Sequence, residues 1–164
     1  MIYNFDTCPD RRTTESVKWG YFDDDVLPMW VADMDFISPA PVVNALQERI
    51  AHGVFGYPWP SDSMKEAVVD WCADQYNWEI EPQEVVFLTC VVNGFHLVAH
   101  AIGKPGDGVF MQTPVYHPFF EVAKNTGLIQ QEMELTLLDD GSYGVDFDAF
   151  EASLGDNSRL FLLC

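Results

Sequence analysis

The segment in which chemistry is easiest to place is the turn from Thr89 to Gly94, which follows an apolar run and precedes a helical pattern. The first amide groups of a helix donate to no main-chain acceptor, and together with the helix dipole they bind anions without a basic side chain. A phosphate group is therefore one candidate ligand, and an ordinary connection that binds nothing is the alternative. The turn has neither the glycine-lysine pattern of a P-loop nor a GxGxxG sequence.

A second candidate is the loop from Thr113 to Phe120, which follows the next predicted strand. Binding loops gather at the carboxyl ends of parallel strands, and Pro114 and Pro118 restrict this one. An aromatic ring held there can stack on a flat ligand. Tyr116 is open to that role or to plain packing, whereas Phe119 and Phe120 are expected to pack against the next helix.

Other reactive side chains give weaker patterns. His96 and His100 are four residues apart, but no further ligand is suggested by spacing, so we predict no metal site. Cys90 is either a nucleophile or, as we favour, a small buried residue. Asp33 and Asp35 are either an acid and base pair or, as we favour, a cap and a solvated charge.

Hydrophobic periodicity and turn residues predict the elements that position these segments. Residues 1–38 form an irregular arm, and a capping box at Ser63 and Glu66 opens the second helix. The predicted helices cover residues 39–52, 63–77, 95–102, 118–125 and 147–154, and the predicted strands cover 85–88, 108–112, 128–135 and 160–163. Strands that alternate with helices predict an α/β fold with a parallel-rich sheet and flanking helices.

Composition excludes several classes of partner. The 164 residues carry 26 acidic and 8 basic side chains, for a formal charge of -18, so neither nucleic acid nor an anionic membrane is an expected partner. No apolar run approaches the roughly 18 residues of a membrane span. The four cysteines form no CxxC pair and the first residues do not resemble a signal peptide, so we expect a cytoplasmic protein.

Several long strings together resemble one enzyme family, the MalY/PatB group of pyridoxal-phosphate-dependent, cystathionine β-lyase-like C–S lyases within the class I/II aminotransferase fold. These strings are DRR at 10–12, SVKW at 16–19, VLPMWVADMDF at 26–36, HGVFGY at 52–57 and QTPVYHPFF at 112–120. The resemblance covers essentially the whole chain.

The resemblance implies a fold-type-I architecture in which residues 1–38 are an arm and part of a small domain, and residues 39–164 are the first part of the large domain that binds pyridoxal 5'-phosphate. It implies that the cofactor phosphate is held by the amides of Cys90, Val91 and Val92. The family commonly has glycine where Cys90 stands, so this sequence departs from the family at a phosphate turn.

Further roles are implied for residues outside that turn. Tyr116 would stack on the pyridine ring, and Tyr57 would cross a homodimer interface to the phosphate of the neighbouring subunit. Ala32 and Asp33 would line the side of an amino-acid substrate such as cystathionine.

The family lysine that binds the cofactor follows a Ser-x-x-Lys pattern, and none of the four lysines fits it: Lys18, Lys65, Lys104 and Lys124. The resemblance therefore implies the N-terminal portion of a longer lyase that eliminates a thiol and releases pyruvate and ammonia, with no catalytic residue and no activity in these residues alone. An aminotransferase fragment and a non-catalytic α/β association module remain as alternatives.

Overall fold

A computed structural model describes residues 3–164, and the chain divides into two compact units, Met1–Trp59 and Pro60–Cys164. In the first unit, helix α1 spans Val17–Gly20 and helix α2 spans Ala40–His52. The Ser16 side chain caps α1, and α2 ends at Gly53, whose φ of 74° is the left-handed conformation that glycine adopts without strain. The predicted division into an arm with part of a small domain, residues 1–38, and the first part of a large domain, residues 39–164, stays a prediction.

The second unit is an α/β structure built on three parallel strands. Its elements are α3 (Asp62–Tyr76), α4 (Val91–Ile102), β1 (Gly108–Thr113), α5 (Phe120–Thr126), β2 (Ile129–Glu134), β3 (Thr136–Leu137), β4 (Tyr143–Gly144), α6 (Phe147–Ser153) and β5 (Ser158–Leu162). The sheet order is β2-β1-β5, with Gly108 opposite both Ile129 and Ser158. The predicted α/β class and the parallel sheet are confirmed.

Strand β1 lies at the centre of the sheet and of the core. Val109, Phe110 and Met111 are at most 1% exposed, as expected for a parallel strand covered on both faces. Ala99 of α4 and Val122 of α5 belong to the same buried cluster. The core therefore fixes α4 against the sheet, and with it the turn that precedes α4.

The predicted strand at 85–88 is not formed. A 3₁₀ turn spans Pro82–Glu84, and the residues after it are irregular. An apolar run becomes a strand only where a neighbour supplies ladder hydrogen bonds, and none of the strands in residues 3–164 pairs with this run. Val86 is consequently 75% exposed.

Two helices begin at residues other than those predicted. Helix α3 is capped by Ser61, whose side chain accepts from the Met64 amide, so the capping box predicted at Ser63 is wrong. Helix α4 begins at Val91 rather than near Phe95, which shortens the turn predicted for Thr89 to Gly94. At α3, Ser61 and Ser63 are both suitable caps, and local sequence does not decide between them.

Two small elements were not predicted, namely α1 in the arm and the antiparallel pair of β3 and β4. Both are short, and a four-residue helix or two-residue strands carry too few residues to show a period. None of the helices in the described range is long and apolar enough to cross a membrane.

Candidate functional site

The first candidate site lies where α4 begins, at the edge of the sheet formed by the carboxyl ends of the strands. Because β1 and β5 are parallel, Thr113 and Leu162 end at the same edge. An open, mostly apolar hollow of about 510 Å³ lies at this edge, lined by Val86, Leu88, Cys90, Val91, Gly94, Phe95, Val98 and Leu162. The core packing of α4 thus presents its N-terminus to an accessible surface.

The N-terminus of α4 has two amide groups without an acceptor. The amide of Asn93 donates to Cys90 Sγ at 3.4 Å, and the amide of Gly94 donates to the Cys90 carbonyl at 3.0 Å. Within the described residues, the amides of Val91 and Val92 donate to no protein group. These two donors at the positive end of a 12-residue helix can bind an anion.

Cys90 is compatible with this turn although the related family commonly has glycine here. Its φ of -165° is extended backbone that any residue adopts, so no glycine is required. The expectation that Cys90 is a small buried residue is wrong, because it is exposed as the N-cap at the edge of the hollow. The Cys90 side chain caps the helix through the amide of Asn93, and within the described residues the amides of Val91 and Val92 stay without an acceptor.

The loop after β1 separates the roles of its aromatic residues. Phe119 is buried and its ring centroid lies 4.9 Å from that of Phe95, so its packing role is confirmed. Tyr116 is 55% exposed, next to His117, and is not among the residues that line the hollow. Its predicted stacking role stays a prediction.

The two histidines of α4 do not come together as ligands. His96 Nδ1 lies 2.8 Å from the Val92 carbonyl oxygen, and its Nε2 lies 3.2 Å from Asn125 Nδ2. Because a carbonyl oxygen only accepts, His96 Nδ1 donates this hydrogen bond, and both ring nitrogens are engaged within the protein. In the part of the chain that the structure describes, no group of three metal-ligating side chains occurs.

In the first unit, the acidic pair forms an ion-pair network with distant basic residues. Arg11 binds the carboxylates of both Asp33 and Asp35, and Lys18 Nζ lies 2.7 Å from Asp35 Oδ2. The hydrogen bonds from Lys18 and then Trp19 hold the pKa of the Asp35 carboxyl well below its usual range. Hydrogen bonds to the carboxylates of Asp33 and then Asp35 raise the pKa of Arg11.

This network corrects the expectations for the two acids. Asp35 is not a solvated charge, because Arg11 and Trp19 donate to its Oδ1 and Lys18 donates to its Oδ2. Asp33 is paired with Arg11 through Oδ2 and is more exposed than Asp35. The sequence reasoning missed the roles of Arg11, Lys18 and Trp19. The only signal for them was that the strings DRR and SVKW carry basic residues where the string around Asp33 carries acids.

The remaining predicted site residues also belong to the first unit. Ala32 and Asp33 lie in an irregular, exposed segment, and Tyr57 is fully exposed on the segment after α2. Their predicted roles toward a substrate and a neighbouring subunit stay predictions.

The chain is similar to a known enzyme family over most of its length. Residues 25–164 match the family model described as Aminotransferase class I and II. The chain is 40% identical to cystathionine beta-lyase PatB of Bacillus subtilis (strain 168), over 98% of this chain and 43% of that protein. It is 29% identical to protein MalY of Escherichia coli (strain K12), over 99% of this chain and 43% of that protein.

A solved structure gives the same result. Cystalysin from Treponema denticola, whose crystal structure contains a pyridoxal 5'-phosphate cofactor, matches 98% of this chain with a TM-score of 0.87 and 33% identity. The match covers 43% of the cystalysin chain. The resemblance to the MalY/PatB group is confirmed, and the chain spans well under half the length of these relatives.

Proposed function

Because the chain belongs to the aminotransferase class I and II family, we propose that it forms the N-terminal portion of a pyridoxal-phosphate-dependent C–S β-lyase. The reaction breaks the bond between the β-carbon and sulfur of an amino acid such as cystathionine and releases a thiol, pyruvate and ammonia. Support comes from the relatives themselves, since PatB is named a cystathionine beta-lyase and is 40% identical.

The single observation that carries the proposal is the pair of free amides at the start of α4. A phosphate ester fits there, because Val91 and Val92 supply two hydrogen-bond donors and the helix dipole supplies positive potential. Cys90, with its own amide, would complete the phosphate cradle, and Tyr116 would stack on the cofactor ring. When bound, pyridoxal phosphate accepts the electrons left when the α-proton of the substrate departs.

The lysines of this chain are unsuited to that chemistry. Lys18 is buried in its pair with Asp35, and Lys124 pairs with Glu121 on the surface of α5. Lys104 lies in the turn before β1, at the opposite end of that strand from the predicted site. Lys65 lies on α3. We infer that residues 1–164 alone do not catalyse the reaction.

The remaining roles extend the proposal to partners and compartment. The exposed Tyr57 would reach the phosphate site of a second copy in a homodimer, and Ala32 and Asp33 would line the substrate side. Four free thiols fit the reducing cytoplasm.

The phosphate site is tested on this chain by Val91→Pro. Val91 is the first residue of α4, where proline is compatible with a helix and lacks the amide donor, and Cys90 before it is already extended. We expect weaker binding of pyridoxal phosphate by equilibrium dialysis, with the melting temperature unchanged. The control Val91→Ala keeps the amide and should bind like the wild type. Equal affinity of the two variants would refute the site.

The activity is tested on the polypeptide encoded by the complete reading frame that contains this chain. We expect pyruvate to appear when cystathionine is added, measured with a coupled dehydrogenase assay. An aminotransferase is the second candidate, because the matching family model carries that name. Transfer of the amino group to a keto acid without pyruvate release would establish the aminotransferase and overturn the lyase.

A further inference from the structure

Three of the strings that carry the family resemblance meet at a single carboxylate. DRR contributes Arg11, SVKW contributes Lys18 and Trp19, and the string at 26–36 contributes Asp35. Between 16 and 24 residues of chain separate Asp35 from these three partners. The site proposed above uses none of the four residues, so their convergence needs its own explanation.

Asp35 accepts three short hydrogen bonds. Lys18 Nζ donates to Oδ2 at 2.7 Å, while Trp19 Nε1 and Arg11 Nη1 each donate to Oδ1 at 2.7 Å. Lys18 is 9% exposed and is the only buried charged residue in the described range. An ammonium group is buried at great cost unless a counter-charge accompanies it, so Asp35 makes the position of Lys18 possible.

The same donors also hold the backbone that precedes Asp35. Lys18 Nζ donates to the carbonyl of Asp33 at 2.9 Å, and Arg11 Nη1 donates to the carbonyl of Met34 at 3.3 Å. Arg11 Nη2 binds the Asp33 carboxylate. Two carbonyls and two carboxylates in three consecutive residues are thus fixed by two cations, although the segment has no regular secondary structure.

Ala32 differs from the residues that follow it. It is exposed, and within residues 3–164 neither its amide nor its carbonyl has a hydrogen-bond partner. A free peptide group directly before a fixed segment is preorganised, since a ligand that binds it does not have to order the loop. An amino acid, with its carboxylate and ammonium groups, has the acceptor and donor that such a peptide group matches.

We propose that Asp35 is a positioning residue, which through Lys18 and Arg11 holds the Ala32–Asp33 segment in the conformation that binds an amino-acid substrate. The inference rests on the proposed function, in which this segment lines the substrate side. Asp35 acts through these residues, because both of its oxygens accept from Lys18, Trp19 or Arg11 and two of these donors also bind the Asp33–Met34 backbone.

The test compares Asp35→Asn with Asp25→Asn in the enzyme encoded by the complete reading frame. Asp35→Asn keeps the side-chain size but removes the charge, whereas Asp25 is an exposed acid of the same arm with no ion pair in the described range. Loss of charge-assisted hydrogen bonds should raise KM for the amino acid about tenfold in Asp35→Asn and leave kcat within about twofold. Asp25→Asn should match the wild type, and Trp19→Phe, which removes one neutral donor, should lie between them.

Two further measurements separate positioning from general stability. Pyridoxal phosphate affinity should be the same in Asp35→Asn and Asp25→Asn when it is measured well below the melting temperature of both variants. In the 164-residue chain, trypsin should cleave after Lys18 faster in Asp35→Asn, because the released lysine becomes accessible. Unchanged KM, or a loss of cofactor affinity that parallels the change in KM, would overturn the inference.

The inference and the proposed function fail in different ways. If the wild type transfers amino groups and releases no pyruvate, the lyase proposal fails and the KM comparison is made on the transfer reaction. An Asp35→Asn variant with wild-type KM in an active lyase overturns the positioning role alone. An enzyme with neither reaction overturns both.

Discussion

The carboxylate of Asp35 has the most perturbed environment of the individual residues described. Three donors surround it, and the cation of Lys18 is buried beside it. Hydrogen bonds to the ionised form favour that form, so the pKa is lowered on folding. A group whose pKa falls on folding stabilises the native state above its ordinary pKa, and that contribution is lost as the pH falls below it.

The lowered pKa of Asp35 predicts how the stability of an Asp35→Asn variant depends on pH. We expect the variant to be less stable than the wild type at pH 7, and we expect the difference to narrow as the pH falls below the usual aspartate value of 3.8. Urea unfolding followed by tryptophan fluorescence at a series of pH values measures it. The free energy of unfolding of Asp25→Asn should equal that of the wild type at every pH. A gap for Asp35→Asn that is constant from pH 7 to pH 3 would contradict the role assigned to this carboxylate.

At the scale of elements, the start of α4 depends on an unusual cap. Sulfur is a weak acceptor, and Cys90 Sγ lies 3.4 Å from the amide of Asn93. The hydroxyl of serine is among the preferred caps, and α3 shows that arrangement at Ser61. The helix is nevertheless held in place, because Ala99 and Phe95 pack into the core beneath it.

Cap substitutions at Cys90 should therefore have small and ordered effects on stability. We expect Cys90→Ser to be at least as stable as the wild type and Cys90→Ala to be less stable than Cys90→Ser by about 1 kcal/mol. The free energy of unfolding from urea titrations measures this. Ser61→Ala, which removes a hydroxyl cap from α3, is the matched control and should lose a similar amount. Cys90→Ala equal in stability to Cys90→Ser would show that the side chain does not cap α4.

At the scale of the whole molecule, a high negative charge opposes an extensive apolar surface. The formal charge of -18 keeps copies apart, while exposed apolar residues around the hollow favour contact between them. Val86 and Leu163 are each 75% exposed. Within residues 3–164, strand β5 pairs on one edge only, and free edges invite association.

This balance predicts salt-dependent self-association of the 164-residue chain. Salt screens the repulsion between acidic copies and leaves apolar attraction intact, so the mean mass should rise with ionic strength. Size-exclusion chromatography with light scattering measures it. Val86→Glu should reduce the association, whereas Leu137→Glu adds the same charge outside the hollow and should not. A monodisperse monomer at all salt concentrations would contradict the prediction.

Much of the fold could be predicted because its elements are specified locally. Helix α2 ends at Gly53 as predicted, and strand β1 was found from an apolar run between turn residues. The turn before α4 was also predicted, although the helix begins earlier than the pattern suggested. The strand expected at 85–88 failed because its apolar character says nothing about the presence of a neighbouring strand.

The α/β class, the order of most elements and the family follow from the amino-acid sequence, because periodicity and long motif strings are properties of contiguous residues. Three features emerge only once the chain is folded: the sheet order β2-β1-β5, the open amides at the start of α4, and the convergence of Arg11, Lys18 and Trp19 on Asp35. These features depend on hydrogen bonds between groups that are distant along the chain, and such partners are chosen by packing rather than by local preference.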